Sequence, residues 1–238
     1  MLYVRPQQKE TMEYSFLTSF INSSFFNKYK NLEQYDYTLI QEPFTGIGYP
    51  DLVCVIWKKN ILGLWNDNRN KLKKDDIKIL HFLYSMKQRK SIPDISIQLG
   101  FSIASVEKSV ERLIDADVIK ENRGQYFIEL IGNVFFIKDI ISIEAKLNNW
   151  RKAFDQARYN CLFSSNSFVL FPSKAINPNL LNAYEGSDIG IITFDDDYKI
   201  VKSAKRNKIP STVNSWQFNE YVGRTLWNKK LIASAVIN

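Results

Sequence analysis

Residues 140–147, IISIEAKL, constrain the fold most strongly, because they place two opposite charges inside a β-strand pattern. Successive side chains of a strand point to opposite faces. One face is apolar throughout and is predicted to enter the core: Ile141, Ile143, Ala145 and Leu147. The other face carries Ser142, Glu144 and Lys146, and burying an unpaired charge is costly. Such a Glu-x-Lys pair is most often a satisfied contact at a sheet edge, unless nearby residues give it a chemical purpose.

The two flanking parts of the chain mix strand and helix patterns. Four apolar residues at helical spacing predict an amphipathic helix near the start: Phe16, Leu17, Phe20 and Ile21. Aromatic and β-branched runs predict two strands, at 35–43 and 49–57. Beyond residue 127 the patterns predict further strands alternating with helices, and then an amphipathic helix over 215–235. This mixture is typical of an α/β domain.

The middle of the chain is different, because helical patterns dominate it. Three helical segments follow one another at 75–86, 91–100 and 101–119. Ser91 and Ser102 are predicted N-caps of the second and third helices. Two short strands around the tight turn at 122–124 complete the series. Helices followed by a two-stranded wing in this order predict a winged helix-turn-helix.

These patterns together predict the domain organisation. We expect an α/β domain with a mixed sheet flanked by helices, interrupted by an inserted winged helix domain. The predicted parts are residues 1–66 and 127–212 of the α/β domain, the insert at 67–126, and a C-terminal helix at 213–238.

The amino-acid composition limits the kinds of catalytic site and partner that this chain can have. The 238-residue chain has one histidine, His81, so a histidine-dependent triad or a multi-histidine metal site is nearly ruled out. Cys54 and Cys161 lie in apolar surroundings without zinc or disulfide spacing, which suits a reducing cytosol. No signal-peptide pattern or membrane-spanning run is present, so we expect a cytoplasmic protein with no membrane association. The net charge of +7 favours a polyanionic partner.

Asp51 gives the charged strand a possible purpose. It follows Pro50 directly and begins a continuous apolar run, so alone it would be interpreted as a turn former. If its strand neighbours 140–147, then Asp51, Glu144 and Lys146 converge on one place. Carboxylate and carbonyl oxygens are the ligands that Mg²⁺ prefers, and the main-chain carbonyl of Ala145 could complete the set. Lys146 would then orient a water molecule or neutralise developing charge.

At this point the sequence resembles a known family. The pair PD at 50–51, the triplet EAK at 144–146 and the following helix KLNNWRKAFDQARY are similar to the signature of the PD-(D/E)XK nuclease superfamily. The strands SFVLFP and DIGIITFDDD also stand where such domains keep their closing strands. The resemblance covers most of residues 11–66 and 127–205.

The resemblance implies a restriction-endonuclease-like fold and a DNA endonuclease dependent on Mg²⁺ or Mn²⁺. Asp51, Glu144 and Lys146 would be the catalytic set, and Gln156 on the following helix would lie near them. Family members often supply one glutamate from the first helix, a position that Glu13 matches. Glu42, on the strand before Asp51, is an alternative metal ligand, and each of the two could equally be a surface carboxylate or cap.

Cationic and polar residues predict where DNA would bind. The candidate contacts are Ser105, Lys108, Arg112, Arg123, Lys152, Lys205 and Arg206. The third helix of the insert is the expected recognition helix. Glu107 and Glu111 share its exposed surface, however, and would repel phosphate. The cations around 199–208 could instead protect an edge strand.

Alternatives remain at this stage. The chain could be a non-cleaving DNA-binding regulator or complex subunit that keeps the nuclease fold. The same metal chemistry would also serve RNA cleavage. The winged helix could bind a protein partner instead of DNA, and a homodimer is possible because one such site cuts one strand.

Overall fold

The computed structural model describes residues 2–5, 11–30 and 32–236, and all side chains within these ranges except those of residues 30 and 231–236. The chain forms two compact units, each built from separate segments. Residues 2–58 and 137–211 form the strand unit, and residues 59–136 and 212–236 form the helical unit. The predicted domain limits at residues 1 and 238 lie outside the described residues.

The strand unit contains a six-stranded mixed sheet in the order β1-β2-β5-β6-β7-β8. Its strands are β1 (Tyr35–Gln41), β2 (Leu52–Lys58), β5 (Ile137–Ala145), β6 (Asn166–Phe171), β7 (Gly190–Phe194) and β8 (Tyr198–Lys202). The three central strands β5, β6 and β7 run parallel to one another, and the other neighbours pair antiparallel. β2 and β5 are direct neighbours although the whole 59–136 segment lies between them in sequence, and Trp57 is paired with Ile137.

Helices cover both faces of this sheet. The strand unit contains α1 (Met12–Ile21), α2 (Asn27–Lys30), α7 (Trp150–Asn160) and α8 (Pro178–Tyr184). Leu17 and Phe20 of α1 pack with Phe25 and Phe26 on one face. α7 and α8 pack on the other face, and Ala153 of α7 belongs to the buried core there. The predicted mixed α/β architecture, a mixed sheet flanked by helices, is confirmed at this level.

Strand β5 shows the predicted apolar face as far as Ala145, whereas Lys146 and the half-buried Leu147 lie beyond its end. Ile141, Ile143 and Ala145 pack into the core beneath α1. Ser142 and Glu144 are also buried, so both faces of the strand are covered. A buried strand with two covered faces is expected to be apolar throughout, and Glu144 therefore occupies a position that stability alone would assign to a hydrocarbon side chain.

The helical unit holds the remaining elements. These are α3 (Lys74–Met86), α4 (Ile92–Leu99), α5 (Ile103–Asp115), β3 (Ile119–Asn122), β4 (Gln125–Ile128), α6 (Ile131–Val134) and α9 (Val213–Val236). Ser91 and Ser102 are N-caps, as predicted, and Gly100 ends α4 in the left-handed conformation that glycine adopts most easily. β3 and β4 form a two-stranded antiparallel sheet.

The boundaries of the units differ from the predicted domains. The segment 58–72 looks polar, yet Ile61, Trp65, Arg69 and Leu72 are buried and belong to the helical unit. The C-terminal helix α9 also belongs to this unit, where Trp216 and other residues of its first turns are buried. The observed unit therefore extends on both sides of the predicted 67–126 insert and includes the distant helix.

A buried ion pair joins α9 to the start of the helical unit. Arg69 Nε donates to Glu220 Oε2 at 3.0 Å, and Arg69 Nη2 donates to Glu220 Oε1 at 2.7 Å. Arg69 Nη2 also donates to the carbonyl of Val134, and the guanidinium lies over the Trp65 ring. Side-chain exposure is only 1% for Arg69 and 6% for Glu220, so the pair is almost fully removed from water.

Two further observations concern the helical unit and the chain as a whole. Ile114 of α5 is 39% exposed, whereas Val106, Val110 and Leu113 of the same helix are buried. Within the described ranges, none of the helices combines the length and the apolar character needed to cross a lipid bilayer.

Candidate active site

Asp51 stands at the start of β2 and is tied to β5 by its side chain. Its Oδ2 accepts from the main-chain N–H of Ala145 at 2.8 Å and from Lys146 Nζ at 3.1 Å. Antiparallel pairing of β2 with β5 places Leu52 opposite Ile143, which sets the residue before β2 beside the end of β5. The structure thus brings Asp51, Ala145 and Lys146 together, in the arrangement that the sequence predicted.

Glu144 lies beside this group and is only 1% exposed. Asn160 Nδ2 donates to its Oε1 at 2.6 Å. Its Oε2 is buried and has no hydrogen-bond donor among the described residues. Burial and the neighbouring Asp51 carboxylate raise the pKa of Glu144 well above its usual range, although Asn160 and Lys146 act in the opposite direction. Oε1 of Glu144 is therefore satisfied by Asn160, and the side chain also interacts with the neighbouring Asp51 carboxylate.

Lys146 is the cation of the site and is 6% exposed. Its Nζ donates to the carbonyl of Ala145 at 2.8 Å as well as to Asp51. Burial by itself would lower the pKa of Lys146, but the carboxylates of Asp51 and Glu13 raise it overall. The side chain is therefore a charged ammonium with Asp51, the Ala145 carbonyl and Glu13 as oxygen neighbours.

The two additional acidic candidates have different positions. Glu13 projects from α1, and its Oε2 lies 3.5 Å from Lys146 Nζ. The carboxylate of Glu42 lies instead 3.7 Å from Arg5 Nε. Glu42 contributes its backbone, because its N–H donates to the main-chain carbonyl of Asp51 at 3.3 Å. The structure therefore places the Glu13 carboxylate beside Lys146 and the Glu42 carboxylate beside Arg5.

Asn160 is a site residue that the sequence analysis missed. It lies at the end of α7, is 5% exposed and orients Glu144 through the bond already described. Its carbonyl accepts from Ser164 Oγ, and Ser164 Oγ in turn accepts from Ser142 Oγ at 3.1 Å. The available signal was the spacing of polar residues on α7, since Asn160 follows Gln156 by four positions and shares its side of the helix.

The other predicted residues of α7 lie close to this face. Gln156 is half-buried, and its Oε1 has no hydrogen-bond partner within the described part of the chain. Lys152 is exposed in the first turn of the helix. Both positions agree with a polar border to the site, although neither side chain contacts Asp51 or Glu144 through a hydrogen bond described here.

Arg112, one of the predicted DNA contacts, forms an ion pair with a buried acid. Its Nε and Nη2 donate to the two carboxylate oxygens of Asp76, at 2.8 and 2.6 Å. The Asp76 side chain is fully buried. Sequence spacing placed Arg112 away from the apolar stripe, but it could not show that an acid on α3 lies opposite. The arginine is a structural ion-pair partner, so its loss would leave a buried carboxylate unpaired.

The remaining predicted DNA contacts are at the surface. Lys108 and Arg123 are exposed in the helical unit, and Ser105 is partly exposed. In the strand unit, Lys205 Nζ lies 3.3 Å from Asp188, and Arg206 donates to Asp139 at 2.8 and 3.0 Å. The two strand-unit cations therefore already have acidic partners, whereas Lys108 lies on an open helix surface.

The residues at the site suit a hard divalent cation. Two carboxylates stand side by side, one with an unpaired buried oxygen, and the carbonyl of Ala145 adds a third oxygen. A cation bound between the carboxylates would relieve their mutual repulsion. Among the described residues no group of three or more His, Cys, Asp or Glu side chains is arranged to hold a metal ion. The donor set here contains two such side chains and a main-chain oxygen.

No protein-family model, curated protein or solved structure matches this chain. Its function is therefore inferred from the geometry of its own residues.

Proposed function

We propose that this protein is a metal-dependent deoxyribonuclease that hydrolyses phosphodiester bonds with the Asp51, Glu144 and Lys146 site. One observation carries the proposal. Glu144 is almost fully buried in β5, between Ile143 and Ala145 of the core, and one of its oxygens has no hydrogen-bond donor in the described structure. An unpaired buried carboxylate is costly to the fold. Retaining it beside a second carboxylate and an ammonium is best explained by chemistry.

Each residue of the site would have a separate role in hydrolysis. Asp51 and Glu144 would hold Mg²⁺ or Mn²⁺ together with the Ala145 carbonyl. A bound ion supplies Lewis-acid polarisation and lowers the pKa of a bound water. Lys146, a charged ammonium beside the two carboxylates, can orient the attacking water and neutralise charge that develops on the phosphate. Asn160 holds Glu144 in one rotamer through its bond to Oε1. This arrangement agrees with the PD-(D/E)XK resemblance.

The direct test is DNA cleavage. We expect the purified full chain to nick or cut plasmid, linear or branched DNA when Mg²⁺ or Mn²⁺ is added, and to leave the same substrates intact in EDTA. The products should carry ends made by hydrolysis of one phosphodiester bond, which gel mobility and end-labelling will show. Binding of DNA without cleavage in either metal would instead support the non-cleaving DNA-binding alternative. Cleavage of RNA alone would support the RNA alternative.

The helical unit is proposed to be the winged helix that binds DNA. Its support is the order of α3, α4 and α5 followed by the β3–β4 hairpin, with serine caps on α4 and α5. Lys90 also pairs with Tyr126 of β4, which sets the cationic segment 87–90 beside the hairpin. Arg123 stands in the hairpin turn and is exposed. Cations on one hairpin and one helix are suited to phosphate contacts.

Replacing Lys108 and Arg123 together with glutamine is expected to weaken DNA affinity and to flatten its salt dependence. Each lost phosphate contact should reduce the slope of log affinity against log salt by about 1. Single-turnover cleavage at saturating DNA should remain, because neither residue belongs to the site around Glu144. Affinity is measured by fluorescence anisotropy across salt concentrations.

The control is a double variant, Lys174→Gln with Lys229→Gln, at two exposed positions. It removes the same amount of positive charge outside the proposed DNA contacts. An equal loss of affinity in the control would show that net charge alone is responsible. Unchanged affinity and salt slope in the Lys108/Arg123 variant would favour a protein partner for the helical unit.

A further inference from the structure

The ammonium of Lys146 occupies the place where a metal ion is proposed to bind. Its Nζ lies 3.1 Å from Asp51 Oδ2 and 2.8 Å from the Ala145 carbonyl oxygen. These are two of the three oxygens assigned to the cation. In the protein as described, Lys146 therefore supplies the positive charge that the carboxylates require. A divalent ion bound to the same oxygens would compete with the Lys146 ammonium for them.

Glu13 is positioned to receive this ammonium. Its Oε2 is 3.5 Å from Lys146 Nζ, on the side of α1, and its side chain is 43% exposed. By contrast, the Asp51 side chain is 23% exposed and the Lys146 side chain 8% exposed. Glu13 is thus an outer, solvated carboxylate whose contact in the site is the lysine. Among the described contacts, none joins Glu13 to the unpaired oxygen of Glu144.

We propose that Glu13 is a positioning residue for Lys146 and not a ligand of the metal ion. Asp51 and the Ala145 carbonyl hold the ammonium when no cation is bound, and Glu13 holds it when those oxygens are engaged. The ammonium remains beside the site in both states, where it can act on water or phosphate. This inference rests on the proposed function, because it assigns a role within the same metal site.

The two roles for Glu13 make different predictions about metal affinity. A metal ligand strengthens metal binding whether or not Lys146 is present. A positioning residue affects metal binding only through the lysine, so its effect on metal affinity should disappear once the ammonium is removed. A double-mutant cycle separates these cases, since it measures the coupling between two residues.

The experiment measures Mn²⁺ affinity by isothermal titration calorimetry, without DNA, on the full chain. The four proteins are the natural sequence, Glu13→Gln, Lys146→Met and the double variant. Lys146→Met should bind Mn²⁺ at least as tightly as the natural sequence, because the competing ammonium is gone. Glu13→Gln should weaken binding about fivefold in the natural background, the scale of one partly exposed ion pair. In the Lys146→Met background it should change the affinity less than about twofold.

The outcomes are distinguishable. An equal loss of affinity from Glu13→Gln in both backgrounds would show that Glu13 acts without the lysine, which would identify it as a ligand and overturn the inference while supporting the metal site. Equal affinities for all four proteins would overturn the inference as well. A natural sequence that binds no Mn²⁺ would overturn the proposed function itself. Glu33→Gln, at an exposed position, controls for the loss of one negative charge, and thermal unfolding checks that each variant folds.

Discussion

Glu144→Gln is expected to lower the rate of DNA cleavage by about 1,000-fold or more, while folding and DNA affinity stay close to those of the natural sequence. The amide keeps the size of the side chain but removes the charge that would hold the metal ion. Metal assistance is worth several kcal/mol of transition-state stabilisation, and about 1.4 kcal/mol corresponds to a factor of ten. Asp51→Asn should have an effect of the same order, because both carboxylates serve one ion.

The measurement is single-turnover cleavage at saturating DNA and metal, beside DNA binding and thermal unfolding of the same preparations. Glu185→Gln, at an exposed position of the strand unit, is the matched control and should cleave at the natural rate. Neutralising a buried carboxylate that has a donor on only one of its oxygens can also raise stability. A more stable and inactive Glu144→Gln protein would be the clearest result in favour of a functional site. Cleavage at the natural rate would show that the chemistry lies elsewhere.

The second large effect concerns stability. Arg69→Met is expected to lower the free energy of unfolding by about 3–5 kcal/mol, because Glu220 would remain buried without its partner. The arginine also donates to the Val134 carbonyl and lies over Trp65, so its loss removes several contacts of the helical unit at once. Guanidinium denaturation followed by tryptophan fluorescence measures the change.

A second variant separates the ion pair from simple packing. Arg69→Met combined with Glu220→Leu should recover most of the lost stability, because no charge is then left buried. Arg158→Met, at an exposed position of α7, should change the free energy of unfolding by no more than about 0.5 kcal/mol. If the double variant were as unstable as Arg69→Met alone, the loss would come from packing and from the Val134 carbonyl, not from the unpaired Glu220.

Local patterns predicted the pair Asp51 and Glu144 because each stands out against its own strand. A carboxylate within an apolar run is visible in the sequence, and the strand period assigns it to a face. The helix caps at Ser91 and Ser102 were predictable for the same reason, since capping depends on neighbouring residues. The mixed α/β architecture followed from the succession of these local patterns.

Long-range partners were not predictable in this way. Arg112 has the spacing of a solvent-facing residue, and only the position of α3 shows that Asp76 neutralises it. Asn160 is unremarkable in sequence, because an asparagine near a helix end is common and its contact with Glu144 depends on how α7 packs. The buried Arg69 stands in a stretch of polar residues, and the local composition of that stretch gives no sign that the side chain is buried. Such contacts join residues far apart in the chain, and a single sequence contains no record of them.

The pairing of Trp57 with Ile137 has a consequence for how such a protein can be rebuilt. The two points where the chain leaves and re-enters the strand unit lie next to each other, so β2 and β5 form a hairpin whose loop is the segment 59–136. A short turn can connect antiparallel neighbours, so that segment is exchangeable in principle. Helix α9 would have to be removed with it, because residues such as Trp216 would otherwise lose their cover. The residues proposed for catalysis all lie in the strand unit. A different segment could therefore be inserted between β2 and β5 while the residues around Asp51, Glu144 and Lys146 stay unchanged.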